Sequence, residues 1–294
     1  MSNCDLCARH CNIDRSASKI GFCKMTDEIR VARAALHMWE EPCISGENGS
    51  GTVFFTGCSL RCVFCQNNNI ANGDTGKSIT IERLSEIFLE LQEKGANNIN
   101  LVTPTHYVPQ IIKALDLARS NGLHLPIVYN TGSYDTVETI RLLDGYVDVY
   151  LPDLKYVSSE LSLRYSHAKD YFTIASAAIA EMFRQVGPPQ FEGDLIKKGM
   201  IVRHLVLPTH TEDSKSVVRY LYETYGDDIF ISIMNQYTPL PHVSSYPELT
   251  RAVTTLEYDE VVDYAIDLGV ENGFIQEGET SKESFIPPFD LEGV

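Results

Sequence analysis

Apolar and polar positions follow two alternating patterns from residue 52 onward. Short runs that are apolar at both alternate positions predict strands at residues 52–56, 98–102, 127–130, 147–151, 201–207 and 229–234. Such runs are typical of parallel strands that are covered on both faces. Segments such as 84–91 and 217–225 instead carry apolar residues at helical spacing, which predicts helices with one buried face. The alternation of the two patterns indicates an α/β fold with a parallel sheet.

Glycines end the predicted helices, at the points where the chain turns toward the next strand. They are Gly95, Gly122, Gly145, Gly187, Gly226 and Gly269. Since connections between parallel strands are right-handed, the simplest closure is a full or partial (β/α) barrel, which binds ligands at the carboxyl ends of its strands. An open doubly wound sheet is the alternative, but it requires a glycine-rich phosphate loop after the first strand. Cysteines occupy that loop here, which favours the barrel.

The first fifty residues differ in composition from the rest of the chain. They are rich in cysteine and end in a turn-rich segment just before the first predicted strand. We therefore interpret residues 1–50 as a small Cys-rich N-terminal unit and residues 51–294 as the barrel with a C-terminal tail. Residues 188–199 are predicted to be a loop insertion. The tail around residues 285–289 is either a cover for the barrel mouth or a loose chain end.

The charge balance excludes several functional classes. The 294 residues include 24 Lys and Arg against 40 Asp and Glu, so the formal net charge is −16. This charge disfavours binding to nucleic acid and to anionic membrane surfaces. No uncharged apolar run approaches the roughly 20 residues that span a bilayer. The first residues lack the apolar segment of a secretory signal, which predicts a cytoplasmic protein.

The chain has eight cysteines, and all of them lie in its first quarter. They are Cys4, Cys7, Cys11, Cys23, Cys43, Cys58, Cys62 and Cys65. Disulfides are rare in a reducing cytosol, and a disulfide framework would be spread across the fold. The clustering therefore predicts metal binding.

Three of these cysteines, Cys58, Cys62 and Cys65, lie on the loop after the first predicted strand, which belongs to the active face of a barrel. Three thiolates can hold three irons of a 4Fe-4S cluster and leave the fourth iron open to a substrate or cofactor. A structural zinc site is the alternative, but it needs four closed ligands, and residues 66–69 offer neither Cys nor His.

The segment Cys58-x3-Cys62-x-Phe64-Cys65 resembles the signature of the radical S-adenosylmethionine (radical SAM) superfamily. The resemblance implies that the open iron binds the amino and carboxylate groups of S-adenosylmethionine (SAM). It also implies that reduction of the cluster cleaves a C–S bond of SAM to give a 5′-deoxyadenosyl radical. In such a site Phe64 shields the cluster and the adenine, and an electron donor such as flavodoxin or ferredoxin supplies the electron.

More of the chain, from Cys4 to Gln276, resembles the PflX-type relatives of pyruvate formate-lyase activating enzymes. The matching segments are residues 39–46, 57–67, 100–106, 129–132, 151–156 and 203–208. The resemblance implies hydrogen abstraction from the glycine of a glycyl radical enzyme, with a small molecule or a peptide as the alternative substrate. A non-catalytic iron–sulfur or zinc binding module is the alternative from a different functional class.

Polar residues follow five of the predicted strands, as a barrel active site requires. The resemblance implies SAM contacts for Thr103, Thr105, Asn130, Thr131, Asp153, Lys155 and Arg203. Thr103 and Thr105 stand where related activating enzymes usually have Gly-Gly-Glu, so their contact with the SAM amino group would be neutral. Lys155 and Arg203 are the cations for the SAM carboxylate or ribose. The alternative is an ion pair with Asp153 that holds the loops together.

Three histidines lie near these strand ends. His106 and His210 fall on predicted loops and are candidates for proton transfer near neutral pH. His204 falls within a predicted strand, which is more typical of a core histidine.

The segment Cys4-x2-Cys7-x3-Cys11-x11-Cys23 supplies four further thiols. Four thiolates close a tetrahedral zinc site, and they equally hold a second iron–sulfur cluster with no open iron. Both alternatives stay open because the two kinds of site use the same ligands. Cys43 is either a replacement ligand or a buried apolar thiol.

Overall fold

A computed structural model describes residues 3–276 and 287–294 of the chain. Its strands are β1 (Ile29–His37), β2 (Ser50–Phe55), β3 (Lys77–Ile79), β4 (Ile99–Val102), β5 (Ile127–Thr131), β6 (Val149–Pro152), β7 (Gln190–Glu192), β8 (Leu195–Leu205), β9 (Phe230–Met234) and β10 (Gly273–Ile275). Its helices are α1 (Pro42–Ser45), α2 (Asn68–Ala71), α3 (Ile81–Glu93), α4 (Val108–Ser120), α5 (Val137–Arg141), α6 (Ser159–Ser166), α7 (Tyr171–Val186), α8 (Thr211–Tyr225) and α9 (Thr255–Leu268).

The strands form one sheet with the order β10-β9-β8-β6-β5-β4-β2-β1-β3, and β7 pairs with β8 outside this path. All neighbours from β2 to β10 along this order are parallel, whereas β1 pairs antiparallel with both β2 and β3. Within the described residues the terminal strands β10 and β3 do not pair with each other. The sheet is therefore an open, partial (β/α) barrel, and the predicted α/β fold and its six strands are confirmed.

Helices cover the sheet with their apolar faces, as the helical spacing predicts. α3 buries Leu84, Ile87, Phe88 and Leu91 almost completely. Burying one such side chain contributes about 1.5–3 kcal/mol. Thr80 caps the first turn of α3 by accepting a hydrogen bond from the backbone of Arg83, and this fixes where the helix begins. No helix among the described residues is long and apolar enough to cross a membrane.

The sheet extends across the boundary that the sequence indicates at residue 50. β1 lies before that boundary and pairs with β2 along residues 31–37. The division into a 1–50 unit and a 51–294 barrel stays a prediction. Residues 188–199 are not an irregular insertion, because β7 and the start of β8 form an antiparallel hairpin there. The loop prediction was wrong because Phe191 of this hairpin packs on Phe230 of β9, a contact that local composition does not reveal.

Residues 287–294 lie along β1. The Ala34 amide donates to the Glu292 carbonyl (2.8 Å), and the Leu291 amide donates to the Ala32 carbonyl (3.1 Å). The ring of Phe289 packs edge-on against Phe54 of β2. This part of the tail is therefore a docked segment rather than a loose end. The remainder of the predicted cover, around residue 285, lies outside the described residues.

Candidate functional site

A cavity of about 210 Å³ opens at the carboxyl ends of the parallel strands. Its polar and charged lining includes His37, Glu40, Gln66, Asn67, Asn130, Asp153, Lys155, Arg203 and Gln236. Its apolar lining includes Trp39, Phe54, Phe64, Val102, Leu205, Met234 and Pro287, and two cysteines, Cys62 and Cys65, complete the wall. The position is the one at which barrels of this kind bind their ligands.

The three-cysteine loop leaves β2 through Gly57, which has a φ of 95°. A side chain at this position would meet the Cγ of Met25 at 2.3 Å, so only glycine lets the chain turn here. Cys62 and Cys65 reach the cavity, and Cys58 lies beside them outside the lining. The Ser166 hydroxyl donates to the Cys62 sulfur at 3.0 Å.

Burial controls the protonation of these thiols. Burial raises the pKa of Cys65 to about 12, and the nearby Cys62 and Cys58 add to this effect. Burial also raises the pKa of Cys62, whereas the Lys155 ammonium opposes that rise. The free thiols of Cys62 and Cys65 are therefore protonated at neutral pH, and a metal must displace their protons to bind.

Three adjacent soft sulfur ligands, two of which open onto a cavity, fit a 4Fe-4S cluster that leaves one iron to a non-protein ligand. Among the described residues, no cysteine other than Cys62 and Cys65 lines the cavity. Across residues 3–276 and 287–294, no three His, Cys, Asp or Glu side chains converge closely enough to hold a single metal ion.

Asp153 lies between the two cations that the sequence singles out. Its Oδ2 accepts from the Lys155 ammonium at 2.6 Å, and its Oδ1 accepts from Nε of Arg203 at 3.0 Å. Burial alone would raise the pKa of Asp153, but Lys155 and Arg203 outweigh it and hold the pKa below its ordinary value. Both ion pairs of the alternative interpretation are therefore formed, and the pair between Asp153 and Arg203 joins the ends of β6 and β8.

Glu40 enters the same cavity from the connection between β1 and α1, and the sequence interpretation did not single it out. Its Oε2 accepts from Nη1 of Arg203 at 3.1 Å, and its Oε1 accepts from the side-chain amides of Asn100 (3.1 Å) and Asn130 (3.4 Å). Burial raises the pKa of Glu40, although Arg203 and Asn100 oppose that rise. The available signal was the acidic pair Glu40-Glu41, which directly follows the apolar positions of β1.

Three of the predicted SAM contacts, Thr103, Thr105 and Thr131, lie outside the cavity lining. The Thr131 hydroxyl donates to the buried carboxylate of Asp135 at 2.7 Å, and the Thr105 side chain bonds to the same carboxylate. Tyr129 also donates to Asp135 at 3.0 Å. Asp135 thus bonds to two of the three hydroxyl groups that the sequence assigned to SAM, those of Thr105 and Thr131. Direct contact of the three threonines with SAM stays a prediction.

Phe64 lines the cavity with its ring and is packed from behind by tyrosines. Tyr156, Tyr165 and Tyr237 all contact it edge-on, with ring centroids 6.3–6.5 Å away. The Tyr165 hydroxyl in turn bonds to Nε2 of His210 at 2.9 Å. This packing fixes the orientation of the Phe64 ring at the cavity wall.

His106 and His204 are buried and uncharged near neutral pH. Nε2 of His106 lies 2.8 Å from the Thr56 carbonyl, and burial lowers its pKa to about 3. His204 bonds to the Leu154 carbonyl and the Ser214 hydroxyl, and burial lowers its pKa to about 4. The interpretation of His204 as a core histidine is confirmed. The prediction that His106 transfers protons near neutral pH was wrong, because the loop after β4 folds inward and buries this ring.

The four N-terminal cysteines lie close to one another. Burial raises the pKa of Cys7 to about 12, and the neighbouring Cys23, Cys4 and Cys11 add to the rise. The backbone of Phe22 donates to the Cys11 sulfur at 3.4 Å. The other three cysteines are therefore near enough to Cys7 to influence its protonation, and a metal at this place stays a prediction.

Cys43 lies apart from both cysteine groups, on α1. It is buried with Ile44, Val128 and Ile196 in a separate apolar cluster, and burial raises its pKa to about 12. These surroundings favour the interpretation as a buried apolar thiol.

Arg9 joins the N-terminal cysteine segment to the three-cysteine loop. Its guanidinium donates to the carbonyls of Ser59 (2.7 Å), Ser166 (2.9 Å) and His167 (2.5 Å). Ser59 follows Cys58 in the chain, and Ser166 also holds the Cys62 sulfur. The Arg9 side chain thus links the two cysteine groups through hydrogen bonds.

Comparison with known families gives a match over more than half of the chain. The family model described as "Radical SAM superfamily" matches residues 52–221. An uncharacterized protein of Methanocaldococcus jannaschii is 30% identical over 273 residues, which cover 90% of this chain and 74% of the relative. The pyruvate formate-lyase-activating enzyme of Listeria monocytogenes is 22% identical over 176 residues, which cover 57% of this chain and 66% of that enzyme.

Two solved structures share the fold. The FeFe-hydrogenase maturase HydG from Carboxydothermus hydrogenoformans matches with a TM-score of 0.53 and 12% identity, over 78% of this chain and 54% of that one. Streptococcus suis SuiB bound to the precursor peptide SuiA matches with a TM-score of 0.51 and 15% identity, over 76% of this chain and 47% of that one. The chain spans about half the length of these two proteins, and the likeness concerns the fold alone.

Proposed function

The chain belongs to the radical SAM superfamily, and we propose that it cleaves SAM reductively at a 4Fe-4S cluster held by Cys58, Cys62 and Cys65. When bound, the cluster supplies the electron that converts SAM into methionine and a 5′-deoxyadenosyl radical, which abstracts a hydrogen atom from the substrate. One observation carries the proposal. Cys62 and Cys65 open into the same cavity as the buried charged group of Asp153, Lys155 and Arg203.

Lys155 is the cation best placed for the carboxylate of SAM. An ammonium has three donors, and only one of them is used, on Asp153. Lys155 also lies close enough to Cys62 to lower the pKa of that thiol. Arg203 donates to Asp153, Glu40 and Asn130, so three of its five N–H groups are already engaged. Its first role is therefore to hold the acidic and amide groups of the wall in place.

Phe64 provides the apolar contact in this proposal. The ring lies on the lining next to Cys65 and cannot turn away, because three tyrosines surround it. An aromatic face at this position suits the adenine of SAM and excludes water from the cysteine loop. The binding roles of Phe64, Asn130 and Lys155 are part of the proposal.

We also propose a glycyl radical enzyme as the substrate. The similarity to pyruvate formate-lyase-activating enzymes over 57% of this chain supports it. A flavodoxin or ferredoxin is the proposed electron donor. Mixing the reduced, SAM-loaded protein with a candidate glycyl radical enzyme should give the doublet of a glycyl radical in electron paramagnetic resonance. Absence of that doublet, with SAM still cleaved, would direct the search to a small molecule or a peptide.

The four N-terminal cysteines are proposed to hold a second metal. A variant in which Cys58, Cys62 and Cys65 are all serine isolates this site. Its metal content, measured by mass spectrometry after anaerobic purification, distinguishes zinc from iron. A variant free of both metals would show that the four thiols bind neither.

The proposed reaction is tested by anaerobic reconstitution with iron and sulfide, reduction with dithionite and addition of SAM. Chromatography should detect 5′-deoxyadenosine from the wild-type protein and none from Cys62→Ser. Cys43→Ser is the matched control, since this cysteine is buried outside both groups. Failure of the wild-type protein to form 5′-deoxyadenosine would favour a non-catalytic binding module.

A further inference from the structure

Arg15 is buried almost completely beside the N-terminal cysteines, with an exposed fraction of 1%, although a guanidinium is always charged. We propose that Arg15 is the counter-ion of a negatively charged metal–thiolate centre formed by Cys4, Cys7, Cys11 and Cys23. This inference rests on the proposed second metal, because it assigns a net charge and a balancing residue to the same site.

The Arg15 guanidinium contacts carbonyl groups and one sulfur atom. Its Nη1 donates to the His106 carbonyl at 2.5 Å, its Nε donates to the Met25 carbonyl at 3.3 Å, and its Nη2 donates to the Thr26 carbonyl. Nη1 also lies 3.9 Å from the sulfur of Cys4. Among the described residues, no Asp or Glu forms an ion pair with this guanidinium. The cation is therefore held by neutral groups alone.

A buried cation without an anion is costly, so buried charges in proteins are normally paired. Carbonyl groups supply only partial charges, and the Tyr107 ring, 5.6 Å from the guanidinium, adds a weak cation–π contact. The thiols beside Arg15 can supply the missing anion. Cys4 lies within contact of it, and Cys23 is close enough that Arg15 opposes the rise that burial causes in the pKa of that thiol. A bound metal keeps its sulfur ligands as thiolates.

Contacts of the backbone fold the cysteine segment back on itself. The Cys4 amide donates to the Ile13 carbonyl at 2.9 Å, which brings Cys4 beside the chain that follows Cys11. The amide of Phe22, the residue before Cys23, donates to the sulfur of Cys11. The four cysteines thus belong to segments that are already paired. No three of their thiols surround a common point, so a metal must draw the sulfurs closer together.

The charge of this segment fits an anionic centre. Residues 1–25 contain four Lys or Arg and two Asp, a formal net charge of +2, whereas the whole chain has −16. Four thiolates outnumber the positive charges of one zinc ion, and the same holds for the core of a 4Fe-4S cluster. Either kind of centre is therefore an anion, and Arg15 is the buried cation that balances it.

The test measures zinc affinity in a parent protein in which Cys58, Cys62 and Cys65 are serine. Zinc is the probe, and competition with a chelator gives its dissociation constant. Arg15→Gln removes the charge and should weaken zinc binding roughly ten- to a hundredfold. Arg15→Lys keeps the charge but loses the planar group of donors, and its affinity should stay within about threefold of the parent's.

Arg119→Gln is the matched control. Arg119 also donates to two carbonyls, those of Gly145 and Tyr146, and lies over the Tyr146 ring, but it belongs to α4. The zinc affinity of this variant should equal that of the parent.

Metal analysis of the anaerobically purified parent distinguishes a zinc centre from an iron–sulfur centre. If the centre is an iron–sulfur cluster, its reduction potential should become more negative in Arg15→Gln and not in Arg15→Lys, since a nearby positive charge favours the reduced cluster.

Three results overturn the inference. An equal loss of zinc affinity in Arg15→Gln and Arg15→Lys would show that Arg15 holds the segment only through hydrogen bonds. Unchanged affinity in Arg15→Gln would show that its charge is not needed, and in both cases the second metal stands. If the parent binds neither zinc nor iron, the second metal fails and this inference fails with it, whereas the proposed SAM cleavage is decided separately by 5′-deoxyadenosine formation. If Arg15→Gln does not fold, Arg15→Lys alone is the test, and a loss of about tenfold or more overturns the inference.

Discussion

The two cysteine groups of this protein place their thiols in different surroundings. Cys62 and Cys65 share a cavity wall with carboxylates, cations and amides. Cys4, Cys7 and Cys23 are buried, and none of the four N-terminal cysteines lines that cavity. A site that exchanges ligands needs an open coordination position, whereas a structural site is closed by protein. The comparison teaches that the surroundings of the thiols, more than their spacing, distinguish the two cysteine groups.

The largest effect is expected from the loop cysteines. Cys58→Ser, Cys62→Ser and Cys65→Ser should each reduce SAM cleavage by at least about a thousandfold, because an alcohol is a poor ligand for iron. The rate of 5′-deoxyadenosine formation measures the effect, with Cys43→Ser as the control. Full activity in any of the three variants would contradict the distinction between the two cysteine groups.

Removal of the N-terminal thiols should affect stability rather than the open site. Cys4→Ser combined with Cys7→Ser should lower the metal content by one site. It should lower the unfolding free energy by about 3 kcal/mol, or the melting temperature by roughly 5 °C. The spectroscopic signal of the loop cluster should persist in this variant. Unchanged total iron and zinc would show that the N-terminal group is not a metal site.

Substitutions at the cavity wall should rank the residues that contact SAM by their contribution to its affinity. Lys155→Ala should weaken SAM binding roughly ten- to a hundredfold, since it removes a charge-assisted hydrogen bond, whereas Thr103→Val should change it by less than about tenfold. Lys197→Ala on the β7–β8 hairpin is the matched control. Calorimetry on the non-reduced protein gives the ranking. The reverse order would mean that SAM is held at the end of β4.

Two buried histidines, His106 and His204, make the stability of the folded protein depend on pH. The carbonyl of His106 accepts from Arg15 of the N-terminal segment, and His204 lies on β8 next to Arg203. The pKa of each is lowered by burial, to about 3 and about 4. The folded protein keeps both rings neutral, while the unfolded chain binds protons below about pH 6.5. Stability is therefore complete above that pH and falls as the pH decreases.

The expected loss is about 1.4 kcal/mol per histidine for each pH unit below 6.5. Denaturant unfolding at pH 7, 6 and 5 measures it. His106→Gln and His204→Gln should each reduce this pH dependence by the contribution of one proton. A pH dependence that neither variant changes would mean that other groups control the acid response.

Much of the barrel could be predicted because its strands are apolar on both faces. β1 could not, because its polar positions are satisfied by remote segments. Arg30 donates to the carbonyls of Gly73 and Gly76, and Arg33 pairs with Asp290. No local pattern reveals such partners, so the segment reads as charged rather than as a strand.

The same reasoning explains which residues of the cavity could be predicted from the sequence. Asn130 lies at the end of β5, Asp153 and Lys155 follow β6, and the strand-end rule finds all three. Glu40 lies before the first barrel strand, and its partner Arg203 is 163 residues away. The rule that identifies the strand ends contains no information about a side chain that reaches the site from the connection between β1 and α1.

The docking of residues 287–294 on β1 has a consequence for self-association. β3 pairs with residues 29–31 of β1, and the backbone groups of Ala32 and Ala34 are taken by Leu291 and Glu292. An unpaired strand edge offers a template for another chain, and aggregation often begins at such edges. The tail covers the stretch of β1 that β3 is too short to reach. Removal of residues 287–294 is therefore expected to leave this edge of β1 unpaired and to promote self-association of the protein.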